Sequence, residues 1–153
     1  MTTIKNHYLI TRKTMMLTPE YTDEANTIIK EEGNSFLAKP CMKKILNDSC
    51  LVNGASFIGR MNFAKNCLMT DKKLPVGVIP HANVIMFPVG TGNIFHKVWL
   101  AYNHIIDFRE ISQGRMELLF TDQSTSTITI SRHSFRRQYN LAAQLTLKHT
   151  YNC

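Results

Sequence analysis

The side chains that could do chemistry in this 153-residue chain fall into scattered catalytic types and cations gathered in two blocks. His96, His104 and Asp107 could in principle join in acid–base or metal work. A hydrogen-bonded histidine on a sheet face is the simpler account of each histidine, so the trio stands only as a contrast. Asp107 and Glu110 flank Arg109, where exposed ion pairing is the ordinary explanation. Gly90-Thr91-Gly92 lacks the later glycine and following helix of a phosphate cradle, and no G-x-S-x-G, P-loop or H-E-x-x-H pattern occurs. The four cysteines, Cys41, Cys50, Cys67 and Cys153, contain no C-x-x-C pair, which predicts reduced structural thiols and no zinc site. No catalytic residue, metal or cofactor is expected, and the chain is read as a non-enzyme.

The cations carry more information. The formal net charge is +7, and it is unevenly placed: residues 1–40 and 81–120 are each balanced, 41–80 carry +4 and 121–153 carry +3. The first block holds Lys43, Lys44, Arg60, Lys65, Lys72 and Lys73, and the second Arg132, Arg136 and Arg137. Two basic blocks separated by a neutral apolar middle suggest a scaffold that turns a positive surface toward a polyanion, with phosphate contacts that release counterions. The competing account of each lysine is a solvated surface charge. Aromatics are not interleaved with these cations as on a single-strand stacking platform. Phe57, Trp99 and Phe135 sit at apolar periods and are expected in the core.

Within the first block, Asn47–Arg60 (NDSCLVNGASFIGR) packs small, flexible residues around Cys50, Leu51, Val52, Phe57 and Ile58. It reads as a compact turn-and-helix unit that presents Arg60 at a fixed place. Ser49, Gly54 and Gly59 shape that unit and Phe57 anchors it. Gly54 suits a turn and Gly59 a point of close packing. The alternative role for Arg60 is a helix-end ion pair with Asp48.

The surrounding elements follow from periodicity and punctuation. A first strand is expected within His7–Leu17, ended by Thr18-Pro19. Ala25–Glu31 and Ser35–Ala38 around Gly33-Asn34 read as a hairpin, with a helix over Thr22–Glu32 as the competitor. Pro40 opens a helix with Met42, Ile45 and Leu46 inward and Lys43 and Lys44 outward; Asn47-Asp48-Ser49 ends it or caps the next turn. Ala55–Phe63 forms a second short helix, with Phe57 and Met61 buried. Val76–Ile79 and Val84–Phe87 are paired strands, and Val98–Phe108 is one longer strand with Tyr102, His104 and Ile106 on one face. Met116–Phe120 and Ser126–Ile130 form a hairpin with one wet face. Ser131 or Ser134 caps a last helix to about His149, burying Phe135, Tyr139, Ala142, Ala143 and Leu147. Arg132, Arg136 and Arg137 crowd its start against the helix dipole, as if kept for an anion. The sum is an α+β fold: mainly antiparallel β-strands with a central helical insertion and a C-terminal helix, in one domain over residues 1–153.

Composition agrees with a folded globular chain: 44% hydrophobic and 19% charged residues. Leu74–His96 lacks charged residues but contains Pro75, Pro80 and Pro88, so it cannot be one membrane-spanning helix. Met1–His7 has no apolar run after its charge, so no secretory signal is read there and a cytoplasmic location is expected.

Asp48-Ser49-Cys50, Gly54, Ser56-Phe57 and Gly59-Arg60 together resemble the signature of the ComK family of bacterial competence transcription factors. The likeness continues through Asn83-Val84-Ile85-Met86-Phe87-Pro88, Trp99 and His104 to Ser134-Phe135, roughly Tyr8–Leu147. The resemblance implies a DNA-binding activator of DNA-uptake genes, acting in the nucleoid-bearing cytoplasm as a homo-oligomer that bends its DNA. It implies paired A/T-rich boxes in double-stranded DNA, read chiefly through the minor groove. On these positions Arg60 is the leading groove or phosphate contact, and Lys43, Lys44, Lys65, Arg132, Arg136 and Arg137 neutralise phosphates. Family members are also handed to a Clp protease by an adaptor. The aromatic adaptor-binding motif of longer members has no counterpart before Cys153, which puts adaptor control, and full multimer formation, in doubt. The second reading is a shortened paralogue, an interaction module that hetero-oligomerises with a full-length activator and tunes it.

Overall fold

The computed structural model describes residues 4–151. Its centre is a seven-stranded sheet built from β1 (Ile4–Lys5), β2 (Thr14–Pro19), β3 (Thr27–Glu31), β4 (Asn34–Ala38), β5 (Val76–Ile79), β6 (Val84–Val89) and β7 (Val98–Ala101), in the order β1-β4-β3-β2-β7-β6-β5. A second sheet, order β10-β9-β8, comprises β8 (Ile105–Ser112), β9 (Arg115–Phe120) and β10 (Thr125–Thr129). Every pairing is antiparallel except the short parallel contact of β1 with β4. Helices α1 (Met42–Leu51) and α2 (Phe57–Leu68) lie between β4 and β5 in sequence, and α3 (Arg132–Tyr151) closes the described chain. This is the α+β arrangement expected from the sequence.

Two apolar layers hold it together. On one face of the large sheet, Leu17, Ile29, Val76, Val78, Met86 and Trp99 pack with Met42, Ile45, Leu46 and Cys50 of α1 and Phe57 of α2. On the other face, Met15, Ile85, Phe87 and Leu100 meet Leu118 and Phe120 of the small sheet and Phe135, Ala142 and Leu145 of α3. Strand β6 is therefore buried on both faces, which explains its unbroken apolar run Val84–Val89. Pro88 is tolerated there because the register of β5 with β6 runs only from Val84 to Met86, so no β5 partner misses its N–H.

The chain departs from the sequence reading in five places. Only Thr14–Pro19 of the expected first strand is extended in a sheet. Tyr8 and Ile10 are buried in a loop, where the Tyr8 hydroxyl donates to Glu31 Oε2 (2.7 Å) and Ile10 N–H donates to Ser49 Oγ (2.9 Å). The expected hairpin does form, with five paired positions around Gly33, whose φ is +70°, and its competitor, a helix over Thr22–Glu32, does not. Asn47-Asp48-Ser49 lies inside α1, which runs on to Leu51, and α2 extends to Leu68, five residues past the expected end. Val98–Phe108 is broken by a turn of 3-10 helix at Tyr102–His104, where the chain leaves one sheet for the other. In α3 the buried stripe is Phe135, Gln138, Ala142 and Leu145, while Leu147 is exposed.

His104 fixes the corner between the sheets. Its Nε2 donates to Arg12 O (2.5 Å), because a carbonyl can only accept, leaving Nδ1 to accept from the Thr121 hydroxyl (2.6 Å). Asp122 ties the same region to the β3–β4 turn. Its carboxylate accepts from the Ser124 hydroxyl and N–H and from Gly33 N–H, bonds that hold its pKa down at about 2. Cys41, Cys50 and Cys67 are free thiols; Cys153 lies outside the described residues.

Candidate nucleic-acid interface

The α1–α2 unit is a helical hairpin whose turn is built from the small residues singled out in the sequence. The backbone N–H groups of Asn53 and Ala55 both return to Cys50 O, and Gly54 N–H to Leu51 O. Gly54 has φ +108°, a conformation that strains any residue with a Cβ. Ser56 then caps α2, its Oγ accepting from Gly59 N–H (3.0 Å). Gly59 sits against that cap: an added Cβ would lie 3.2 Å from Ser56 Oγ. Asn47 Oδ1 accepts from Phe57 N–H (3.1 Å), fastening the start of α2 to the side of α1.

Ser49 is fully buried and binds the N-terminal loop through Ile10 N–H. Phe57 is the anchor, 3% exposed, with its ring 5.8 Å from Trp99 and 5.5 Å from Phe95, centre to centre. Burial of one such side chain contributes about 2–3 kcal/mol. Cys50 is also fully buried; desolvation pushes its thiol up to about 11, so it stays protonated and inert at neutral pH.

Arg60 is not a free arm. Its Nη2 donates to Asn53 O (2.7 Å) and lies beside Gly54, while Nε is enclosed without a partner. The guanidinium thus clamps the hairpin turn it follows. The ion pair with Asp48 weighed from the sequence is absent: Asp48 pairs instead with Lys44, 3.0 Å away. Arg60 also lies close enough to His149 of α3 to disfavour a second positive charge there.

The other predicted cations occupy different surroundings. Lys43, Lys44 and Lys65 are exposed on the outer faces of α1 and α2, with Lys43 Nζ 5.7 Å from the Phe95 ring centre. Arg132 and Arg136 are exposed in the first turns of α3, which Ser131 caps through Ser134 N–H. Arg137 is half-buried and donates to Gln138 Oε1 (2.7 Å). α1 and α3 lie on opposite faces of the large sheet, and α2, which carries Arg60 and Lys65, packs against both layers. The two basic blocks meet where Phe63 of α2 packs on His149 of α3, and again in the segment after α2, where Gln138 Nε2 donates to Lys73 O (2.7 Å) and to Pro88 O (2.9 Å).

Gln138, Gly77 and His149 escaped the sequence reading. Gln138 is 2% exposed and satisfies two main-chain carbonyls that the β5–β6 pairing leaves open. Its place in the apolar stripe of α3 was the only signal, and polarity masked it. A Cβ on Gly77 would overlap the His149 ring, which also packs on Phe63 at 4.6 Å. Contacts between residues so far apart in sequence leave no local pattern.

The trio His96, His104 and Asp107 is not assembled. His104 has both ring nitrogens engaged, His96 is exposed beside Tyr21, and Asp107 accepts from its neighbour Phe108 N–H. Among the described residues no group of three His, Cys, Asp or Glu side chains could hold a metal ion, and no helix is long and apolar enough to cross a membrane.

The sequence model of the ComK protein family matches residues 5–152. The competence transcription factor of Bacillus subtilis (strain 168) is 25% identical over 142 residues, spanning 92% of this chain and 74% of that protein. No solved structure gives a significant match. The match takes in the α1–α2 hairpin, both sheets and α3 together: the chain belongs to the ComK protein family.

Proposed function

We propose that this protein is a competence transcription factor that binds double-stranded DNA at paired A/T-rich boxes, chiefly from the minor groove, and acts in the cytoplasm on the nucleoid without catalysing a reaction. Family membership supports the regulatory role. The observation that carries the DNA reading is that Lys43, Lys44, Lys65, Arg132 and Arg136 are exposed, and of these five only Lys44 pairs with a carboxylate among the described residues. Cations left free on helix faces lose little on meeting phosphates and gain from counterion release. The narrow groove of an A-tract has the most negative potential for them to enter.

In this reading Lys43, Lys44 and Lys65 flank the groove from the helical hairpin, and Arg132, Arg136 and Arg137 take phosphates further along. Arg60 adds charge close to the DNA while its Nη2 holds the turn. Lys65 of α2 stands on the helix that packs on α3, whereas Lys43 and Lys44 of α1 lie across the large sheet from Arg132 and Arg136. A bent duplex or a second copy would let the α1 lysines reach the same DNA, in keeping with paired boxes.

Binding to a duplex with two A/T boxes and to a G/C-rich duplex of equal length tests the reading. Preference for the A/T boxes, abolished by a small minor-groove competitor, is expected. Equal, weak binding to both duplexes would overturn it and leave the interaction-module reading.

A further inference from the structure

The tip of the α1–α2 hairpin exposes apolar side chains that the fold has no use for. Leu51 is 53% exposed, Val52 64% and Ile58 69%, all within the last turn of α1, its C-cap and the first turn of α2. All three stand at the turn end of one hairpin: Leu51 is one turn after Asn47 on α1, and Asn47 Oδ1 accepts from the N–H of Phe57, the residue before Ile58. Each apolar tip shares a stripe with a lysine. Lys44 precedes Leu51 by two turns, and Lys65 follows Ile58 by two turns, an axial separation of about 10 Å in each case.

Two occupants compete for such a patch. A second copy packing by two-fold symmetry would set the same lysines against each other, at a cost from like charges. A polyanion meets Lys65 without that cost, and at Lys44 it competes with the Asp48 carboxylate 3.0 Å away. Double-stranded DNA offers phosphates on the rims of the minor groove and apolar base faces within a step that opens. Lysines on the flanks with aliphatic residues at the centre match that layout, and the clamp from Arg60 Nη2 to Asn53 O keeps the tip stiff enough to be driven in.

We propose that Ile58, supported by Leu51, is an apolar wedge that enters the minor groove and partly unstacks one base step, with Lys44 and Lys65 on the bordering phosphates. The proposal rests on the DNA reading above and names the residues that deform the site. Flexible pyrimidine–purine steps such as TA would be the preferred point of entry, giving selectivity at a position no hydrogen bond reads.

The test uses the full chain and an A/T-box duplex with 2-aminopurine at its TA step, whose fluorescence rises when the base unstacks. Wild type is expected to raise the signal several-fold, while Ile58→Ser binds roughly 5–30-fold more weakly, gives no rise and keeps the same salt slope. Lys65→Ala is expected to lower the salt slope yet still produce the rise at saturation. A normal rise with Ile58→Ser would overturn the wedge while leaving DNA binding intact. So would a change of oligomeric state in light scattering without loss of affinity, which would assign the patch to contacts between copies. Absence of wild-type binding to any A/T duplex would overturn the DNA reading itself, and the wedge with it.

Discussion

Arg60 is where residue-level chemistry most changes what a substitution should do. The sequence reads it as the leading groove or phosphate contact, with a helix-end ion pair to Asp48 as the alternative. With Nη2 on Asn53 O and Nε enclosed, Arg60→Ala loses a charge-assisted hydrogen bond at the hairpin turn. We expect a stability loss of about 1–2 kcal/mol, or a drop in Tm of about 2–8 °C, together with weaker DNA binding. Thermal melts and DNA titrations on the same variant check this; an unchanged Tm would mean that the clamp is idle. Gln138 is the sharper stability test. Gln138→Leu keeps the volume but leaves the carbonyls of Lys73 and Pro88 buried without donors, at a cost of about 2–5 kcal/mol in urea unfolding. A loss below about 0.5 kcal/mol would contradict the assignment. His149 supplies the pH dependence. Burial, and then the Arg60 charge, lower its pKa below the ordinary 6.5, so the folded state binds fewer protons than the unfolded one. Its contribution is therefore present above the unfolded pKa of 6.5 and is lost as pH falls from there through the lower folded-state pKa. Tm should fall from pH 7.5 to 5.5 more steeply in wild type than in His149→Asn; parallel curves would remove His149 from the account.

At the scale of elements, the readable parts were those whose signals are local. The β3–β4 hairpin, the β5–β6 pair and the small-sheet hairpin all declare themselves by short apolar runs around turn residues, and each stands where expected. Helix α2 runs past its expected end at Phe63, where Ala64, Cys67 and Leu68 pack into the second apolar layer. The Val98–Phe108 run shows the limit most clearly. Its alternation continues through Tyr102–His104, yet the chain turns there because His104 is held by Arg12 and Thr121, partners 92 and 17 residues away. The candidate site divides the same way: Ser49, Gly54, Ser56 and Phe57 stand in the unit that the sequence outlined, whereas the clamp by Arg60 and the packing of His149 on Gly77 needed the fold. The α1–α2 hairpin itself should depend on its anchor: Phe57→Ala would cost about 3–5 kcal/mol and loosen α2 against Trp99. Near-native hydrogen-exchange protection of α2 in that variant would contradict the anchoring role.

For the whole molecule, the decisive feature is how charge is distributed over a rigid two-sheet scaffold. The excess of +4 in residues 41–80 rides on α1, α2 and the segment after them, and the +3 of residues 121–153 on α3. The large sheet lies between α1 and α3, while Gln138 joins the two blocks along one side through Lys73. Under the proposed reading, these cations meet the DNA backbone. The most direct measurement of the central claim is the slope of log K against log[salt] for an A/T-box duplex, compared between wild type and single variants Lys65→Ala and Arg136→Ala. Each phosphate contact contributes about −0.9 to that slope, so each variant should be shallower by about 0.9 while keeping the A/T preference. A wild-type slope near zero, or variants indistinguishable from it, would contradict the claim that these cations meet the DNA backbone.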